Sequence, residues 1–370
     1  MKLLLGKVKL IVLTIPVVLL ACVFILVGVL LAYSPGKPVP FVDENGKPLP
    51  GSISEKIFVN INGVLQGMII KGKDVRNPVL LYAHGGMPDY FLTQKYPTGL
   101  EEYFTVVWWE QRGSGLSFSP DSTEVISSEQ LISDTLEVTN YLRNRFGKEK
   151  IYLMGHSGGT FIGIQAAAKA PELYYAYIGI AQMSNQLESE VLAYEFMLKE
   201  FKENGNTKMV RKLEAAPVTT VDDIPDSYLA LRDGAMHSLG VGTTHDMKSV
   251  ISGVFLPSLT FREYTLMEKV NLWRGKSYSG VSPIWDEIMA TDLIQKVPKL
   301  GIPTYLFSGI YDYTCSYSLA KDYLEKLQAP VKGFYTFKQS AHSPLFEEPN
   351  RFIEIMVDDV LNGNIDLADK

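Results

Sequence analysis

Hydrophobic and polar positions change rhythm three times along the chain. The N-terminus opens on an uncharged run from Leu10 to Tyr33, 24 residues broken only by Thr14, Pro16 and Gly28. As a helix it measures about 36 Å, against a hydrocarbon core of about 30 Å. Lys2, Lys7 and Lys9 precede it, a charge bias that keeps a short N-terminus cytoplasmic. The pattern predicts a cytoplasmic stretch over 1–9, a transmembrane anchor over 10–33 and a linker over 34–51, with everything after it extracytoplasmic. Two other processing patterns compete. A cleaved signal peptide needs a shorter apolar core and small residues before the cut, and Leu30 is not small. Leu19-Leu20-Ala21-Cys22 resembles a lipobox, but an apolar stretch follows Cys22 where a polar tether is usual.

From Ser52 the rhythm becomes that of strands alternating with helices. Ile57–Ile61 and Leu65–Ile70 flank Asn62-Gly63, which predicts a β-hairpin. Val79–Ala83 and Thr105–Trp109 are compact apolar runs. Ser128–Phe146 has helical spacing with Ser128 as its cap. Ile151–Met154 predicts a strand, Phe161–Ala168 a helix, and Tyr177–Ala181 another strand. Strands apolar throughout belong to a parallel sheet buried on both faces, so the class is α/β with a mostly parallel central sheet. The leading hairpin predicts an antiparallel edge.

After Gln182 the rhythm changes again. Over 187–298 the chain reads as successive amphipathic helices, Glu188–Glu203, Thr207–Ala215, Ile224–Ser238 and Phe261–Trp273, with no convincing strand. This predicts a helical cap inserted between two parts of one core, 52–186 and 299–370. The core resumes with a strand at Thr304–Gly309, a helix at Ser318–Leu327, a strand at Gly333–Phe337 and a final helix from Pro349 to Leu361.

Composition narrows the class. An apolar fraction of 46% describes a chain with a large core, and a net charge of −6 without basic clusters argues against nucleic acid as a partner. Two cysteines, Cys22 and Cys315, build neither a disulfide framework nor a zinc site. No metal and no cofactor is expected.

The candidate chemistry centres on Gly155-His156-Ser157-Gly158-Gly159, a G-x-S-x-G between the predicted strand and helix. The glycines two before and two after the serine let a tight turn form, and the hydroxyl then stands at a helix N-terminus that favours negative charge. Ser157 is the expected nucleophile. Its base must follow a late strand, because ligands gather outside the carboxyl ends of the strands of such sheets. His342, after the strand ending at Phe337, meets that requirement, and Asp312, just after Phe307, is the expected carboxylate. Each has a plainer alternative: a glycine turn, a helix cap, a surface histidine. His156 is expected to point away from the hydroxyl and His84 to shape its own loop. The expected oxyanion donors are the backbone N–H groups of Gly158 and of Gly86, in His84-Gly85-Gly86-Met87-Pro88.

These residues resemble the proline iminopeptidase branch of the α/β-hydrolases. The motifs of that family are H-G-G-P-G, D-Q-R-G-x-G-x-S and G-x-S-W-G. Here they stand as His84–Pro88, Glu110-Gln111-Arg112-Gly113-Ser114-Gly115-Leu116-Ser117 and Gly155–Gly159. The likeness spans about Phe58 to Met356. It implies an α/β-hydrolase fold with a helical cap and a Ser157–Asp312–His342 triad. It also implies Gly86 as an oxyanion donor. Met87-Pro88 replaces Pro-Gly, Glu110 replaces Asp, and Gly158 replaces the aromatic residue that packs a proline ring.

The resemblance implies an aminopeptidase acting on short peptides, with cap glutamates recognising the substrate amine. Glu188, Glu190 and Glu195 are the candidates, beside the plainer reading of a solvated helix face. Phe255, Phe261, Tyr264, Trp273, Tyr278 and Trp285 are candidates for an apolar acyl pocket or for the cap's own core. A carboxylesterase or lipase-like hydrolase and, remotely, a non-catalytic binding protein are the alternatives.

Overall fold

The computed structural model describes residues 2–120, 126–221, 223–276 and 282–370, with side chains described from Val17 onward apart from that of residue 282. The first helix, α1, runs Lys2–Ala32. The expected anchor over 10–33 thus falls partly on side chains outside those described. Among the described residues no helix is long and apolar enough to cross a membrane, so the structure does not support that expectation.

Eight strands form one sheet. They are β1 (Ile53–Ile61), β2 (Val64–Gly72), β3 (Val79–Ala83), β4 (Thr105–Trp109), β5 (Ile151–His156), β6 (Tyr174–Ile180), β7 (Thr304–Gly309) and β8 (Lys332–Phe337), in the order β1-β2-β4-β3-β5-β6-β7-β8. Only the pairs β1/β2 and β2/β4 are antiparallel, so β2 alone runs against the others. The hairpin turn is the expected Asn62-Gly63, with φ of 48° and 84°. Positive φ at both positions is what a twist-matched two-residue turn demands.

Both sheet faces are covered. Helices α2 (Ser128–Phe146) and α3 (Gly158–Lys169) pack Leu131, Val138, Leu142, Phe161 and Ile164 into the core on one side. On the other, Phe352 and Ile355 join Trp108, Tyr305 and Phe307. Trp108 and Trp109 are both buried, one in each core. The cap of α2 is Ser127, which accepts from the Gln130 N–H; the expected Ser128 instead donates to Glu287 at 2.6 Å.

Between β6 and β7 the chain is helical among its described residues. It holds α4 (Gln186–Glu203), α5 (Thr207–Glu214), α6 (Asp226–Leu239), α7 (Leu256–Thr260), α8 (Leu266–Gly275), α9 (Trp285–Met289) and α10 (Leu293–Lys296). The expected helix over Phe261–Trp273 begins later, because Thr265 and Glu268 form a capping box that starts α8 at Leu266. Helices α4, α5 and α6 enclose a separate core of Ala193, Met197, Phe201, Leu213, Tyr228 and Met236. After β7 come α11 (Tyr317–Lys326), β8, α12 (Pro344–Glu347) and α13 (Pro349–Ile355).

The segment after α1 lies against the α7–α8 region. Lys269 Nζ, in α8, donates to the carbonyls of Tyr33 (2.7 Å) and Leu259 (2.7 Å) and to Ser34 Oγ (3.0 Å). Gly36 N–H donates to Arg262 O, and Val39 N–H to Glu263 Oε1. Lys71 Nζ, on β2, donates to Val39 O at 2.6 Å and to Glu263 Oε1 at 3.2 Å.

Candidate active site

At the end of β5 the backbone turns abruptly into α3, and Ser157 sits on the turn with φ 55° and ψ −124°. This is a costly conformation for a residue with a side chain. It is held by its surroundings: Ser157 N–H donates to Ile180 O at 3.0 Å, and Ser157 O accepts from Thr160 N–H at 2.8 Å. The flanking glycines are required sterically. A Cβ at Gly159 would lie 2.0 Å from Ala83 O, and one at Gly155 2.7 Å from Gly159 O.

The loop after β3 passes directly against the serine. A Cβ at Gly85 would meet Ser157 Cβ at 2.7 Å and its Oγ at 3.1 Å, whereas one at Gly86 would meet nothing within 4 Å. Gly158 opens α3, where backbone N–H groups have no partner in the helix. His84 shapes the loop as expected. Its Nε2 accepts from Gln111 N–H at 3.1 Å, and its Nδ1 faces Gly85 O at 3.0 Å. Burial drives its pKa down to about 4, matching a neutral ring with the proton on Nδ1.

Asp312 and His342 meet beyond the ends of β7 and β8. His342 Nδ1 lies 3.1 and 3.0 Å from the two Asp312 oxygens, and both residues are buried. Asp312 Oδ1 also accepts the backbone N–H groups of Thr314 (2.8 Å) and Cys315 (3.0 Å), which fix the carboxylate. With Nδ1 turned to the carboxylate, Nε2 is the nitrogen left for chemistry. The His342 N–H donates to Gly242 O, a residue of the inserted region.

Glu347, in α12, holds the histidine loop from behind. It accepts from the N–H groups of Ala341 (2.9 Å), Ser343 (3.3 Å) and His245 (2.6 Å). Burial nonetheless raises its pKa to about 7. Cys315 lies beside Ser157, with its thiol pushed well up by burial and by Asp312. Both cysteines are free, Cys315 buried and Cys22 exposed.

Two of the three amine candidates fall elsewhere. Glu188 and Glu195 are exposed on α4, and Glu188 is simply the third residue of that helix, its N–H donating to Asn185. The carboxylate that α4 buries is Glu190. It takes Arg232 Nε and Nη2 at 2.6 Å each and Tyr228 OH at 3.0 Å. Gln186 then bridges Glu190 Oε1 (2.9 Å) to Thr314 O (2.8 Å), beside Asp312. Helical phase carried that signal: Gln186, Ser189, Ala193 and Met197 share the inward face. Phe261 and Tyr264 pack with Tyr90, and Phe255 with Trp273, while Tyr278 lies outside the described residues. Among the described residues no group of three or more His, Cys, Asp or Glu side chains is placed to hold a metal ion.

Residues 78–349 match the family model of the α/β-hydrolase fold. The chain belongs to the α/β-hydrolase family. This α/β-hydrolase is 33% identical over 310 residues to a Bacillus subtilis protein named "Probable aminopeptidase YbaC", covering 82% of this chain and 96% of that one. It is 23% identical over 314 residues to a proline iminopeptidase of Saccharolobus solfataricus, covering 80% and 89%. Its fold is similar to the crystal structure of a proline iminopeptidase-related protein from Thermus thermophilus, with TM-score 0.56 at 18% identity over 82% of this chain and 96% of that one. The α/β-hydrolase therefore stands in the proline iminopeptidase-like branch.

Proposed function

We propose that this α/β-hydrolase cleaves an acyl bond through a covalent serine intermediate, and that it acts as an aminopeptidase on short peptides. The observation that carries the reading is the His342–Asp312 pair beyond the strand ends, in one sheet with a serine on a left-handed elbow. Ser157 Oγ attacks the substrate carbonyl while His342 Nε2 takes its proton and Asp312 stabilises the imidazolium. The oxyanion is received by the N–H groups of Gly158 and Gly86, each worth about 3 kcal/mol of barrier. The tetrahedral adduct collapses, His342 returns the proton to the leaving amine, and water releases the acyl group by the same steps in reverse roles.

The peptide reading is supported by the names of the relatives. An ester-cleaving reading draws support from Gly158, which leaves room where the resembling family carries an aromatic ring. The helices between Leu187 and Pro298 serve as a cap, which the bonds from Gly242 and Gln186 to the base and acid loops support. We also place the protein at a membrane, held by its N-terminal segment with the hydrolase domain outside the cytoplasm. The uncharged run after Lys9 and the exposed apolar side chains of Val17 to Leu31 support that placement.

A fluorophosphonate probe should label the wild type and leave Ser157→Ala unlabelled; equal labelling would sink the nucleophile. Alanyl- and prolyl-arylamides set against short-chain nitrophenyl esters then separate peptidase from esterase. Turnover of the esters alone would end the aminopeptidase reading. Protease added to intact cells should digest the domain, and its survival would argue for the opposite orientation.

A further inference from the structure

Behind the proposed nucleophile lies a second histidine–aspartate pair that the reaction itself does not use. His156, the last residue of β5 and the one before Ser157, is 5% exposed. Its Nε2 is 2.9 Å from the main-chain oxygen of His342. Its Nδ1 is 3.0 Å from Asp89 Oδ2 and 3.0 Å from Tyr82 OH. Asp89 directly follows Met87-Pro88, at the end of the loop carrying Gly86. The rings of His156 and His342 lie 5.1 Å apart.

We infer that His156 and Asp89 are positioning residues, an ion pair that joins the oxyanion loop to the base loop behind the nucleophile. The inference rests on the serine-hydrolase reading above. Hydrogen-bond bookkeeping assigns the protons. The His342 carbonyl only accepts, so Nε2 of His156 carries hydrogen and donates to it. Tyr82 has one hydrogen and gives it to Asp89 Oδ2, 2.6 Å away. Both atoms facing Nδ1, the Asp89 carboxylate and the phenol oxygen, are thus acceptors, and Nδ1 carries hydrogen as well. The ring is an imidazolium with both N–H groups used, paired to a buried carboxylate. Burial opposes this charge, but the Asp89 contact outweighs it and leaves the ring above its ordinary pKa. The other titratable groups around it are Asp312, His84 and His342.

The pair spans three loops that must keep register for acyl transfer. The elbow supplies the ring, the oxyanion loop the carboxylate, and the base loop the carbonyl. Because the bond is to the His342 main chain, the ring fixes where the base sits without touching substrate.

The test uses the full-length protein and a fluorophosphonate probe, whose concentration dependence separates the maximal inactivation rate from half-saturation. His156→Ala should lower the maximal rate about 100-fold, the scale expected when a catalytic group is misplaced by about an ångström. Half-saturation should stay within about twofold, because nothing that binds the probe is lost. His156→Gln, whose amide N–H reaches the position of Nε2, should recover all but about tenfold of the loss. Asp89→Asn keeps the Tyr82 bond but removes the charge, and should slow the rate about tenfold, a readout that stands even where His156→Ala does not fold. Equal rates in wild type and Asp89→Asn, or equal losses in the alanine and glutamine variants, would overturn the inference. An unlabelled wild type overturns the serine-hydrolase reading instead, and this inference with it.

Discussion

The Tyr264 hydroxyl, from the inserted region, donates to Oε1 of Glu110 at the end of β4, while Glu110 Oε2 accepts the Leu116 N–H at 2.5 Å. One carboxylate thus ties the strand end, its following loop and the helical region together. The extra methylene of Glu110, where the resembling family has Asp, is what lengthens this reach.

That tie should show in the pH dependence of stability. Burial raises the Glu110 pKa to about 7, against the opposing hydrogen bonds from Tyr264 and Leu116. A carboxyl whose folded pKa is raised contributes stability at low pH and loses it as pH climbs through the folded value. The loss falls between about pH 4.5 and pH 7 and amounts to about 3 kcal/mol. Glu347, also raised to about 7, adds its own slope. Thermal melts across that range should therefore flatten, without becoming level, in Glu110→Gln. An unchanged slope would show that Glu110 does not titrate there.

The arginine of the same motif has a structural task. Arg112 donates through Nε (2.8 Å) and Nη2 (3.0 Å) to both oxygens of Asp134, which also receives Gln66, Gln130 and Asn62. Arg112→Met strips that fully buried carboxylate of its cation and should cost about 3–5 kcal/mol, read as a lower urea midpoint. A shift below about 1 kcal/mol would contradict the arrangement.

Glu190 and Arg232 make a second buried pair with a distinct signature. Glu190→Ala leaves Arg232 only the exposed Asp233 as a partner, at a cost of about 3–5 kcal/mol, whereas replacing both by Met should cost less, because only the Tyr228 and Gln186 bonds to Glu190 are then lost. A double-mutant cycle checks it. Additive losses would mean the two side chains act independently.

Two glycines should respond in opposite directions to the same methyl group. At Gly159 the added carbon would lie 2.0 Å from Ala83 O, so Gly159→Ala should abolish probe labelling and lower the melting temperature. Gly234 lies inside α6 with nothing within 4 Å and without a positive φ. Gly234→Ala should stabilise by about 0.5–1 kcal/mol. Circular-dichroism melts of the two variants decide both.

Much of this architecture was legible because strands buried on both faces read as unbroken apolar runs, as Val79–Ala83 and Thr105–Trp109 do. Local chemistry was legible where neighbours in sequence create it: the Asn62-Gly63 turn and the glycines around Ser157. Asp312 and His342 could be placed because each follows a strand. The bonds that tune the site were not legible. His156 and Asp89 stand 67 positions apart, and no periodicity links them. Composition does not separate Glu188, Glu190 and Glu195; only the helical phase shared with Gln186, Ala193 and Met197 puts Glu190 on the inward face of α4. Ser127 and Ser128 offer the same hydroxyl, and only backbone geometry at the cap separates them.

The way Tyr33 to Val39 is fastened has a practical consequence. A segment that hung free could be cut anywhere without effect, but this one is fastened to α8 and β2. Trimming the chain to begin at Ser52 would remove Tyr33 O and Ser34 Oγ from Lys269, Val39 O from Lys71 and the Val39 N–H from Glu263. Lys269 already has its pKa drawn down to about 8 by burial. A fragment starting at Tyr33 keeps those charges satisfied, and any pull transmitted along α1 arrives first at α8 and β2.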